Sequence, residues 1–102
     1  MALASARRAG RTMTYAELAD AAAVPPPHRI HTLTQWLEDS MRADHAVGAP
    51  LHAALVISRN RGGLPAPGFF ELCRGLGLYD GPVRGSAAAA FHQQMLNRLF
   101  TK

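Results

Sequence analysis

Apolar positions along this chain recur mostly at helical spacing, and the breaks between the periodic stretches fall at Gly and Pro. Thr14 followed by Glu17 is a capping-box pattern, in which hydroxyl and carboxylate each satisfy a backbone N–H of the first turn. Tyr15, Leu18, Ala19 and Ala22 then share one face, which predicts a helix over 15–23. Three prolines end it, and Pro27 suits the first turn of a following helix, where a missing N–H costs nothing. Ile30, Leu33, Leu37 and Met41 are spaced by three, four and four, with Trp36 widening the stripe, so that helix reaches about Asp44. The apolar run over 51–58 lies between breakers and reads as a buried strand, with 59–63 as a charged glycine turn. Residues 64–67 are the candidate return strand, confined to an edge by Pro65 and Pro67. Phe69, Phe70, Leu72, Cys73 and Leu76 pack a short helix that Gly77 stops. Ser86 is placed to cap a last helix, with Phe91, Met95, Leu96 and Leu99 turned inward, ending near Phe100.

Two helices joined by a tight turn, with cations leading the second, is the layout of a helix-turn-helix. The predicted class is therefore α+β and mainly helical. It is winged-helix-like, a helix-turn-helix plus a small β-hairpin, with extra C-terminal helices. Residues 1–12 read as a flexible basic arm and 13–102 as a single domain.

Composition sharpens this only in places. A hydrophobic share of 48% with 18% charged residues belongs to a folded domain. No apolar run approaches the ~20 residues of a membrane span. Arg7, Arg8 and Arg11 are followed by no apolar segment of the kind a signal peptide carries, so the cytoplasm is the expected location. Cys73 is alone, which excludes an internal disulfide and a tetrathiolate zinc site. The formal charge is +4 and ten of the eleven basic residues are Arg. Their positions say more than their number. Arg7, Arg8 and Arg11 lie on the arm, Arg29 opens a helix, and Arg59 and Arg61 flank the glycine turn, where a small DNA binder places charge.

Thr14-Tyr15-Ala16-Glu17-Leu18-Ala19, Arg29, Pro50-Leu51-His52 and Gly62-Gly63-Leu64-Pro65 together resemble the winged-helix domain of O6-alkylguanine-DNA alkyltransferases and alkyltransferase-like proteins. The resemblance covers roughly residues 11–68 and implies a DNA-binding role, with Arg29 near the place of the family's arginine finger and Tyr15 against a phosphate or flipped nucleotide. Leu51 stands where the family has its nucleophilic Cys and Ala53 where it has Arg, and the second helix is about two turns longer. Without a thiolate there, alkyl transfer cannot occur. The stretch over 55–69 is also similar to a pattern in small bacterial proteins.

Two readings stand beside each other at every candidate position. Tyr15 either touches phosphate or is an amphipathic residue at a helix start. His28, Arg29 and Thr32 either meet DNA, helped by the positive helix end, or are solvated. Arg59 and Arg61 either act as a wing or are charged because turns are exposed. His28 with His31, and His45 with His52, match no metal-site spacing, and Ser58 and Ser86 have no His–acid arrangement near them in sequence. Glu38, Asp39 and Asp44 read as a solvated acidic helix end, Trp36 as core or interface, and Phe69-Phe70 as core. The expectation is a non-enzymatic protein without metal or cofactor that binds double-stranded DNA through Tyr15, His28, Arg29, Thr32, Arg59 and Arg61. The alternative is a protein-interaction module of the same shape, which a homodimer would also satisfy.

Overall fold

The computed structural model describes residues 2–24 and 29–100, the side chains of residues 2, 29 and 30 excepted. Its architecture is α+β and mainly helical. In chain order it runs α1 (Ala2–Ala9), β1 (Met13–Thr14), α2 (Tyr15–Ala21), α3 (Arg29–Ala46), a 3-10 turn (His52–Leu55), β2 (Val56–Ile57), α4 (Pro67–Gly75) and α5 (Gly85–Phe100).

The first departure from the predicted layout is at the amino end. The expected arm is a helix, with Leu3 and Ala6 buried. Only one large apolar side chain marks this helix, and the rest of its buried face is alanine, which leaves almost no periodic signal. Arg11 N–H donates to the Ala6 carbonyl while Gly10 takes a φ of 68°, so the chain turns out of α1 through a left-handed glycine.

The capping box at 14–17 forms as predicted. Glu17 N–H donates to Thr14 Oγ1 at 3.1 Å, and Thr14 N–H donates to Glu17 Oε1 at 2.9 Å. Leu18 and Ala19 are buried. The helix ends two residues before the predicted limit, and Ala23 takes a φ of 55°, a conformation that costs a residue with a Cβ. Along α3, Leu33, Leu37 and Met41 are buried as their spacing requires, while Trp36 stays 41% exposed.

The second departure is the sheet. It is parallel, pairing Met13 with Val56 and Thr14 with Ile57, not a hairpin. A parallel pair needs a long crossover, and α2 with α3 supplies it. The predicted strand over 51–58 is mostly the 3-10 turn, in which Ala53, Ala54 and Leu55 are all buried. A short apolar run buried on every side carries no periodicity that separates strand from turn. The candidate return strand makes one sheet-like bond, Ser58 N–H to the Leu64 carbonyl at 2.9 Å, because Pro65 and Pro67 have no N–H to extend a ladder.

The 3-10 turn sits at the centre of the core, packed by α1, α3 and α5. Phe70 and Cys73 from α4, and Ala88, Phe91, Met95, Leu96 and Leu99 from α5, complete it. Pro67 starts α4 in the first turn, and α5 begins at Gly85, so Ser86 lies inside the first turn instead of capping it. Tyr79 stacks on Phe91 with centroids 4.5 Å apart, closing the loop between these helices over the core.

Candidate nucleic-acid interface

Tyr15 is the first residue of α2, and its ring packs against the core. Its hydroxyl oxygen accepts the Ala66 N–H at 3.2 Å, holding the connector before α4 against α2. Burial pushes the phenol above its ordinary range, so it stays protonated. Its first duty is thus a tertiary hydrogen bond across 51 residues of sequence.

Arg61 is likewise occupied. Its Nε donates to the Pro65 carbonyl at 2.8 Å and its Nη2 to the Val83 carbonyl. The guanidinium therefore joins the glycine turn to the loop before α5. Arg74 does similar work, donating to the Gly81 carbonyl at 2.6 Å. Arginines that look like wing charge in a sequence can be spent on carbonyls that loops leave unpaired.

Arg59 differs. It is exposed on the turn, and Arg11 is exposed just before β1. Although 48 residues apart in sequence, both lie within electrostatic reach of Glu17 at the start of α2. The Glu17 carboxyl is held below its ordinary range first by the two Thr14 hydrogen bonds and then by these two arginines. The exposed start of α2 therefore lies in the field of two cations from separate stretches. Arg11 was not among the predicted contact residues. Arg11 and Arg59 both act on Glu17 although the parallel register, Met13 with Val56 and Thr14 with Ile57, sets Arg11 before the strand pair and Arg59 after it.

Thr32 is exposed and lies at the rim of an apolar groove of about 360 Å³ between α1, α2 and α3, with Leu3, Leu18, Val24, Leu33 and Trp36. Arg29 is the first residue of α3, but its side chain lies outside the described part of the structure, as does His28 altogether. Of the six predicted contacts, Arg59 is an exposed cation, Thr32 is an exposed hydroxyl, and Tyr15 and Arg61 hold the scaffold.

The acidic end of α3 is more structured than a solvated patch. Arg42 meets Asp39 at 3.1 Å and Glu38 at 3.9 Å. Asp44 accepts from both the backbone N–H and Nδ1 of His52, at 3.1 and 3.2 Å, and Arg7 Nη1 approaches His52 Nε2 at 3.0 Å. No sequence signal marks that chain of three residues. Ser40 lines a cavity with Asp44 and His52, yet its hydroxyl donates to the Leu37 carbonyl and Nε2 faces Arg7, so no base is free to activate it. Cys73 is fully buried, and burial pushes its thiol up to about 12, far from a nucleophilic thiolate. Among the described residues no group of three His, Cys, Asp or Glu is placed to hold a metal ion. No helix among them is long and apolar enough to cross a membrane.

No protein-family model, no curated protein and no solved structure matches this chain.

Proposed function

We propose that this protein is a small, non-enzymatic, winged-helix-like DNA-binding protein that grips the backbone of double-stranded DNA at the start of α2 and from the 58–64 turn. The observation that carries the reading is that Arg11 and Arg59 are both exposed and both act electrostatically on Glu17 at the start of α2. Chain order supports the helical part of it: a short strand is followed by two helices, and a glycine turn comes after β2, although no hairpin forms there. In this reading Arg11 and Arg59 neutralise phosphates. Thr32 in α3 meets the DNA, with His28 and Arg29 as the further expected contacts, and Tyr15 and Arg61 hold the scaffold behind the two gripping elements. Phosphate contacts of this kind set affinity and position without choosing a sequence.

The test is duplex binding followed by fluorescence anisotropy at low salt, for the natural protein and for Arg59→Ala, Arg11→Ala and Arg61→Ala. Arg59→Ala and Arg11→Ala should each weaken binding several-fold with unchanged folding. Arg61→Ala should act mainly by loosening the turn and lowering stability. Absence of binding at low salt would remove the reading.

One observation favours a second reading, a protein-interaction module. The apolar groove between α1, α2 and α3 carries a Trp36 side chain that is 41% exposed, an unusual outlay of surface for an indole without a partner. A defined complex or homodimer in light scattering, unchanged by nuclease treatment, would favour it.

A further inference from the structure

A second cavity, of about 260 Å³, opens between α1 and α3 beside the 3-10 turn, lined by Leu3, Ala4, Trp36, Ser40, Asp44 and His52. Trp36, Ser40 and Asp44 are spaced by four along α3 and so form one stripe down the cavity. Leu3 and Ala4 of α1 stand against it as an apolar wall.

Apart from the Trp36 indole N–H, the polar groups of this cavity present mainly acceptors. Arg7 has only donors, and its Nη1 lies 3.0 Å from His52 Nε2. On the other side of the ring, His52 Nδ1 lies 3.2 Å from Asp44 Oδ2. The backbone N–H of His52 goes to the same oxygen. Asp44 Oδ1 takes no hydrogen bond from any described residue. The Ser40 proton is committed to the Leu37 carbonyl, so Ser40 Oγ also offers only lone pairs.

Only one oxygen of Asp44 is engaged, by His52. Arg7 sits on the far ring nitrogen of His52 and donates its Nε to the Leu99 carbonyl at 2.7 Å, in the negative last turn of α5. Asp44 itself occupies the last turn of α3, where the carbonyl end of the helix repels a carboxylate and attracts a cation. A half-exposed indole forms the wall above it.

From this set we infer that the cavity is a binding site for a small primary ammonium compound with an apolar body. The ammonium would donate to Asp44 Oδ1 and Ser40 Oγ and lie against the Trp36 ring, and the apolar body would rest on Leu3 and Ala4. A neutral alcohol offers one weaker donor, and a carboxylate meets repulsion from Asp44. The volume lies just under the range of drug-sized pockets and suits a ligand of about ten heavy atoms. This site is independent of the proposed DNA-contacting surface.

Trp36 is the chain's one tryptophan, so its fluorescence reports on the cavity wall directly. The probe is phenethylammonium at neutral pH, with phenethyl alcohol and phenylacetate as its uncharged and anionic counterparts. Saturable change of Trp36 emission by the amine is expected in the millimolar range, at least about tenfold tighter than by either counterpart. Asp44→Asn should erase that preference for the amine, with circular dichroism showing the fold retained. Equal binding of amine and alcohol by the natural protein would overturn the site, and so would no emission change up to about 10 mM amine. The comparison among the three probes needs no variant, so it decides the matter even if Asp44→Asn fails to fold.

Discussion

Arg7 and His52 meet in a half-buried contact, Nη1 to Nε2 at 3.0 Å, and this contact ties α1 to the turn at the centre of the core. The same guanidinium closes on the end of α5 through the Leu99 carbonyl. One side chain thus fastens three parts of the fold that are distant in sequence.

Removing that fastener leaves a ring nitrogen and a carbonyl without their donor. Arg7→Ala should cost about 2 kcal/mol in denaturant unfolding, the sum of two partly buried hydrogen bonds. Amide hydrogen exchange should show α1 loosened first. Arg8→Ala should change little, since Arg8 is exposed and reaches only Ser5 Oγ at 3.5 Å. Equal effects of the two substitutions would contradict the assigned role of Arg7.

His92 predicts a pH dependence. It is buried on α5, burial lowers its pKa from the ordinary 6.5, and the Ala54 carbonyl at 2.8 Å only partly offsets this. With the folded pKa below the unfolded one, the unfolded chain binds more protons between the two values, and stability rises with pH there. The contribution is present above 6.5 and is lost as pH falls from 6.5 through the folded value. Urea midpoints should therefore drop on acidification. In His92→Phe that part of the dependence should vanish, whatever the variant does to stability at neutral pH.

Ala23 carries backbone strain that glycine would relieve. Its φ of 55° ends α2, and the side chain is exposed, so nothing is lost by removing the Cβ. Ala23→Gly should stabilise by about 1 kcal/mol, and Tm should rise by about 4–8 °C. A lower Tm would contradict the left-handed conformation at this position.

Cys73 should resist thiol reagents in the folded state. Its side chain is inaccessible and its pKa is raised to about 12 by burial, so thiolate is scarce at pH 8. Labelling should proceed only at the rate of unfolding and become fast in denaturant. Rapid labelling under native conditions would mean that α4 opens easily.

Much of this fold is legible where large apolar side chains repeat. The stripes of α3, α4 and α5 are found by spacing, and the first turn of α2 by the Thr14–Glu17 box. What escapes is of three kinds. Alanine-lined burial in α1 leaves too few large side chains to register as a period. The run ending in Leu55 is buried on all sides, so it lacks the alternation that would mark its conformation. Long-range partners are set by topology: the Val83 carbonyl captures Arg61, and Ala66 captures Tyr15. The candidate site follows the same division. Arg59 is found from its turn, whereas the reach of Arg11 to Glu17 is set by how the chain enters β1 and α2 and has no spacing signal.

The most direct test of the DNA-binding proposal is the salt dependence of duplex affinity for the natural protein and for Arg59→Ala. Each phosphate neutralised contributes close to one unit to the slope of log affinity against log salt, so losing Arg59 should flatten that slope by about 1. A natural protein that fails to bind at low salt, or a slope unchanged by Arg59→Ala, would contradict it.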